Sequence, residues 1–382
     1  MKIGILAVKT YNYGSLLQTY ALQKYVTKLG YDNEIVNYKK NNIIKQISRL
    51  FYLPLFIDTL KQLFTNVFLI NLKPEVKDYV RNRNLSFANF ISGYLHESNS
   101  FVGRKALCIG VNKYDEIILG SDQLWHPFNY GAHFFDMSFV PDNIVKIAYA
   151  PSFGVSSLPN YQQKGMAKSI KRINALSVRE ISGQKLIKEL CDREAMVVSD
   201  PTMLLSKEDW AEVKASRLIE EDYIFCYFIG NNIKHRSFAV ELSKKTNLKI
   251  VSLPHIYCYQ HVDQNFGDIH PKDIGPREFV SLIANAKYVC TDSFHGSVFS
   301  IIHERNFFTF PRFAETKMSA NSRLYTLFEK LDIRGRFLSE DTTVEEALQL
   351  EMIDYKIVSN NLQDYRAFSQ KWLKEQIING IK

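Results

Sequence analysis

Residues 2–38 read KIGILAVKTYNYGSLLQTYALQKYVTKLGYDNEIVNY, and this stretch decides the fold class. Lys2 to Val8 is an apolar run of strand length, the signature of a strand buried on both faces. Gly14 to Leu29 then carries apolar residues at helical spacing and stops at Gly30, and Glu34 to Tyr38 is the next strand. Strand, helix and strand make a βαβ unit, so the chain opens a parallel sheet covered by helices.

Outward from this unit the alternation first fails and then resumes. Residues 41–105 are helical, basic and aromatic with no clear strand, and read as an insertion in the first domain. Strands are expected at Asp115–Leu119, Val145–Ala150, Ala175–Val178 and Ala195–Ser199, with helices at Tyr161–Arg172 and Ser182–Leu190. Asp200-Pro201 breaks the chain, because the residue before a proline resists helix and the proline cannot continue a ladder. A second series follows: strands Tyr223–Ile229, Lys249–Leu253, Tyr288–Thr291 and Phe307–Phe310, with helices Lys234–Thr246, Arg277–Ala286 and Ser297–His303. The expected fold is therefore α/β with two Rossmann-like domains, 1–203 and 204–345, each burying its own core. Helices in 346–382 are expected to pack back towards the first domain.

The chain has 382 residues, 46% of them hydrophobic and 23% charged, which excludes disordered and fibrous classes. Five cysteines, odd in number and without a CxxC pair, argue against a disulfide framework and a zinc site, so a reducing cytoplasmic compartment is expected. The N-terminus lacks a signal-peptide pattern, and the apolar stretch Leu50–Leu72 is broken by Pro54, Asp58 and Lys61, so no membrane-spanning helix is expected. The net charge of +8 is uneven: residues 39–83 hold nine cations against three acids.

Polar residues gather where strands end, the place where open α/β sheets bind ligands. In the run 286–303, AKYVCTDSFHGSVFSIIH, an apolar strand empties into Thr291, Asp292, Ser293 and His295 before a helix expected to start near Gly296. Free N–H groups at that helix start suit an anion beside His295. In Ile117–Pro127, IILGSDQLWHP, Asp122 and Gln123 suit sugar hydroxyls and Trp125 offers a stacking face; the alternative is an Asx turn with a core tryptophan. The opening loop lacks GxGxxG, which disfavours a dinucleotide, yet Asn12 and the helix start suit a polar ligand. Arg179 and Arg312 follow strands and Arg323 opens a helix, where a guanidinium can grip phosphate or carboxylate in a fork. No GxSxG, HExxH or P-loop is present.

The motifs NYGSLLQTYALQKYVTKLGYDNEIVNY, GSDQLWH, IAYAPSFG, SVREISG, SDPTMLL, PREFVSLIANAKYVCTDSFHGSVFSII and NSRLYTLFEKLDIRGR, in this order, resemble the polysaccharide pyruvyl transferase family. Segment 41–105 is outside the resemblance. The resemblance implies two glycosyltransferase-B-like lobes facing a cleft, and transfer of pyruvate from phosphoenolpyruvate onto two hydroxyls of a sugar in a bacterial surface polysaccharide or its lipid-linked precursor. His295 would then be the acid that protonates the donor, oriented by Asp292. Arg179, Arg323 and Arg312, with Ser293, Gly296 and Ser297, would hold the donor's anionic groups. Asn12, Tyr13, Gln18, Asp122, Gln123 and Trp125 would face the acceptor. No metal or other cofactor is needed, because arginines can supply the charge.

A lipid-linked acceptor would give the basic segment a purpose, a peripheral contact of 41–83 with the inner face of the cytoplasmic membrane, core packing being the alternative. A glycosyltransferase of the same architecture using a nucleotide sugar is the rival enzyme, since fold does not fix donor chemistry. A nucleic-acid binder is disfavoured, because the polar clusters sit at strand ends and not along the basic stretch.

Overall fold

A computed structural model of the chain describes residues 1–39, 74–254, 263, 265–312 and 321–380. In chain order the strands are β1 (Lys2–Leu6), β2 (Asp32–Ile35), β3 (Tyr38–Lys39), β4 (Phe101–Val102), β5 (Glu116–Leu119), β6 (Val145–Ala148), β7 (Ala175–Val178) and β8 (Met196–Val197), then β9 (Tyr223–Tyr227), β10 (Lys249–Ser252), β11 (Tyr288–Thr291) and β12 (Asn306–Thr309). The helices are α1 (Tyr13–Lys28), α2 (Pro74–Tyr94), α3 (Gly103–Gly110), α4 (Asn160–Lys171), α5 (Ile181–Cys191), α6 (Lys207–Val213), α7 (Ile233–Thr246), α8 (Pro276–Ala284), α9 (Phe294–Ile302), α10 (Ser322–Leu331), α11 (Val344–Gln349) and α12 (Tyr355–Asn379).

Two parallel sheets result, one in the order β2-β1-β5-β6-β7-β8 and one in the order β10-β9-β11-β12. Every ladder between them is parallel, with Ile3 opposite Glu116 and Tyr288 opposite Ile224 setting register at the two central seams. In the first sheet the chain turns outward from β1 to β2 and later adds β5 on the other side of β1. In the second, β10 and β11 flank β9 in the same way. Each lobe therefore has a switch point, between β1 and β5 and between β9 and β11, where the loops leaving the strand ends diverge and open a crevice.

Local chemistry sets the helix starts that border these crevices. Asn12 caps α1 by accepting from the Ser15 N–H, and Ser293 caps α9 by accepting from the Gly296 N–H. Helix α9 thus begins at Phe294, earlier than expected, so His295 lies in its first turn and not in the loop before it.

The lobes do not keep separate cores. A continuous apolar cluster runs from Ile3, Leu16 and Leu17 of the first lobe to Phe279, Val289 and Phe299 of the second, while two further clusters cover the outer sheet faces. Helix α12 reaches across, with Ser369 accepting from the Ser199 N–H and Gln370 and Arg366 donating to the carbonyls of Leu204 and Met203.

The expected strand-free insertion is corrected in part: Phe101–Val102 forms a strand that pairs in parallel with Tyr38–Lys39. Within α2, Arg83 is only 4% exposed and donates to the Tyr11 carbonyl while its guanidinium lies 4.3 Å from the Phe87 ring centre. This cation of the basic segment is a packing residue. Residues 40–73, the bulk of the segment expected to contact a membrane, lie outside the described residues, and no described helix is long and apolar enough to cross a membrane.

Candidate active site between the lobes

The two switch points face one another across a cavity of about 360 Å³. Thr10, Asn12, Ser15, Asp122 and Gln123 line it from the first lobe; Ile229, Ser293, Phe294, His295, Arg312 and Arg323 line it from the second. Seven of the expected site residues therefore share one cavity although they come from five chain segments. Thr10, Ser15 and Phe294 were not singled out from sequence, although each lies within a stretch quoted above.

Asp122 holds a left-handed backbone with φ of 78° and turns its carboxylate back on the loop. Its Oδ1 accepts from the Gln123 N–H at 2.8 Å and its Oδ2 from the Ser15 hydroxyl at 2.5 Å. Burial works against its ionisation, but Arg179 and then His295 hold the carboxyl below the usual range. It is a fixed negative charge in the cavity wall.

Arg179 lies beneath this wall, 2% exposed, donating from Nη1 to Asp200 Oδ2 at 2.6 Å with Nη2 3.8 Å from Asp122. Its Nε and Nη2 have no hydrogen-bond partner among the described residues. The Phe294 ring carries Arg179 at 4.5 Å and Arg323 at 5.8 Å from its centre. Burial and then repulsion from Arg179 pull Arg323 down to about 9, against the opposing pull of Glu180 and Asp122.

Asp292 does not orient His295. Its two oxygens accept from the N–H groups of Ile229 and Gly230 at 2.7 and 2.8 Å, tying β11 to the loop after β9, and Arg312 stands 3.7 Å away. The carboxylate beside His295 is Asp200, 3.6 Å from Nε2. From sequence Asp200-Pro201 reads only as a chain break, and nothing local signals that its carboxylate meets a histidine of the other lobe.

Several expected contacts are absorbed by packing. Trp125 is 1% exposed, packs against Phe153 and donates to the Phe135 carbonyl, so it is the core tryptophan of the alternative reading and presents no stacking face. Tyr13 stacks on Phe279 at 4.5 Å inside the interlobe core, its hydroxyl donating to the Ile274 carbonyl. Gln18 is fully buried and donates to the Ser15 carbonyl. The Gly296 N–H is taken by the Ser293 hydroxyl, and the Ser297 hydroxyl, buried, meets the Ser293 carbonyl and Thr309. Neither is available to an anion, because the helix starts three residues earlier than Ser297.

Fold and site together define a two-lobed parallel α/β protein whose polar groups converge on a cleft between paired switch points. The chain belongs to the polysaccharide pyruvyl transferase family, whose profile matches residues 12–312, and is thereby a transferase. No curated sequence relative matches it. Among solved structures it is similar to UDP-GlcNAc 2-epimerase from Methanocaldococcus jannaschii, 11% identical over 95% of this chain and 92% of that one, with a TM-score of 0.49. It is also similar to the S. aureus MnaA–UDP co-structure, 10% identical over 97% and 93% with a TM-score of 0.48. The glycosyltransferase VinC in complex with DTDP is 12% identical over 100% and 98%, with a TM-score of 0.38.

Proposed function

We propose that the protein is a ketal pyruvyl transferase that moves pyruvate from phosphoenolpyruvate onto two hydroxyls of a sugar in a surface polysaccharide or its lipid-linked precursor. Beyond family membership, the observation that carries this reading is the meeting of His295 with Arg312 and Arg323 at one cavity, with the expected donor-binding residue Arg179 beneath its wall and bonded to Asp200. Phosphoenolpyruvate brings a phosphate and a carboxylate, and the guanidinium groups of Arg312 and Arg323 are the cations that line the cavity for them.

In the proposed reaction His295 gives a proton to the methylene carbon as a sugar hydroxyl attacks the neighbouring carbon. The carbon–oxygen bond to phosphate then breaks, and a second hydroxyl closes the ketal. One hydroxyl proton returns to His295 and the other leaves with phosphate, so the enzyme ends as it began. Asp122, Ser15, Asn12 and Gln123 form the wall that would meet the sugar, and no metal or other cofactor enters the scheme.

The test is thermal unfolding with and without millimolar phosphoenolpyruvate, because a ligand that binds only the folded state raises the midpoint. Wild type and His295→Ala are expected to be stabilised and Arg323→Gln is not. Stabilisation of the wild type by UDP-GlcNAc but not by saturating phosphoenolpyruvate would overturn the donor assignment.

A further inference from the structure

We infer that Asp200 of the first lobe is the positioning residue for His295 of the second, holding its imidazolium from behind so that the acid is complete only where the lobes meet. The inference rests on the reading of His295 as the proton donor.

Asp200 is wholly buried at the end of the first sheet, and each of its oxygens is directed. Oδ1 accepts from the Thr202 N–H at 3.0 Å and the Thr202 hydroxyl at 2.7 Å, which fixes the carboxylate plane. Oδ2 accepts from Arg179 at 2.6 Å and the Ser121 hydroxyl at 3.2 Å, and its remaining side faces His295 Nε2 at 3.6 Å. That nitrogen is buried and has no hydrogen-bond partner among the described residues. Nε2 thus turns inward to a carboxylate, while Nδ1 packs against Gly14 of α1 and the residue lines the cavity.

The charged groups around the ring are Asp200 and Asp122 from the first lobe, Arg179 beneath them, and Arg312 and Arg323 from the second lobe. Three guanidinium groups crowd the ring with positive charge, and a carboxylate is needed to offset them. Asp200 is the carboxylate at ion-pair distance. Asp292 is committed to two backbone N–H groups.

The experiment is a histidine-selective NMR titration of the full chain, with the His295 signal assigned through His295→Gln. Asp200→Asn is expected to lower the His295 midpoint by about 1–3 pH units, the effect of losing an opposite charge at this distance. Asp292→Asn is expected to leave it in place, and Asp200→Glu to restore it. An unchanged midpoint in folded Asp200→Asn, or an equal fall in Asp292→Asn, overturns the pairing. Should no Asp200 variant fold, wild type decides alone: a His295 ring still neutral at about pH 5 overturns it, and one charged at neutral pH supports it. The titration needs no substrate, so a protein that titrates as expected but ignores phosphoenolpyruvate refutes the donor assignment and leaves this pairing standing.

Discussion

Gly14 is the most direct handle on the position of the imidazole. It is the second residue of α1, and a Cβ built on it would lie 2.0 Å from His295 Nδ1, 2.4 Å from Cγ and 2.7 Å from Cε1. Ordinary contact begins near 3.4 Å, so Gly14→Ala forces the ring back by about 1.4 Å or parts the lobes. A displacement of about 1 Å at a reacting group costs on the order of 100-fold in rate, and that loss in kcat/KM is expected from phosphate release with donor and acceptor present. The stability effect has two opposed parts. Alanine for glycine in a helix gains up to about 1 kcal/mol, whereas overpacking a buried ring costs about 1–3 kcal/mol, so the variant folds with a slightly lower midpoint. In a His295→Ala background the methyl group has room, and Gly14→Ala becomes stabilising. Full activity in Gly14→Ala, or a lowered midpoint in both backgrounds, would refute the reasoning.

Three further outcomes are expected. Arg179→Ala removes the nearest counter-charge of the buried Asp200 carboxylate and should cost about 3–5 kcal/mol by denaturant unfolding, whereas Asp200→Asn combined with it should recover part of the loss; additive losses would contradict the Arg179–Asp200 pairing. Glu116 is 1% exposed with both oxygens lacking a partner among the described residues, and burial pushes its carboxyl up to about 7. Its unfolded value is about 4.3, so the folded state prefers the protonated form and loses stability as pH rises from about 4 to 7. Glu116→Gln should therefore match wild type in melting near pH 4 and exceed it above pH 7 by up to about 4 kcal/mol, and a gap independent of pH would contradict this. Trp125→Phe should retain the acceptor KM while lowering the melting midpoint, because the indole is core; a raised KM at unchanged stability would return it to the acceptor wall.

The sheets were legible because their signal is local. Ala175–Val178 and Tyr288–Thr291 are strands over the residues that their apolar runs delimit, and the opening βαβ unit forms as its pattern requires. Burial on both faces demands a continuous apolar run wherever the strand lies, so the requirement is written along the chain itself. The same holds for the polar strand ends, since a switch point exposes whatever follows the strand, and Asn12, Asp122, Gln123, Ser293, His295, Arg312 and Arg323 do line the cavity.

Which polar residues face the cavity and which are consumed beneath it was decided by the tertiary structure. Trp125 and Tyr13 carry the same local marks as their neighbours, but each enters a core whose other half comes from distant chain, and Gln18 is buried on hydrogen bonds to Ser15 and Thr19. The two-residue pairing of Tyr38–Lys39 with Phe101–Val102 escapes periodicity because neither partner is long enough to show a period. Asp292 is close to His295 in sequence, yet its carboxylate serves backbone amides of the loop after β9, while Asp200, from the other lobe, meets the imidazole. Strand and helix follow from hydrogen bonds and burial within a few residues; the partner of a charged side chain follows from where two separately folded sheets bring their ends together.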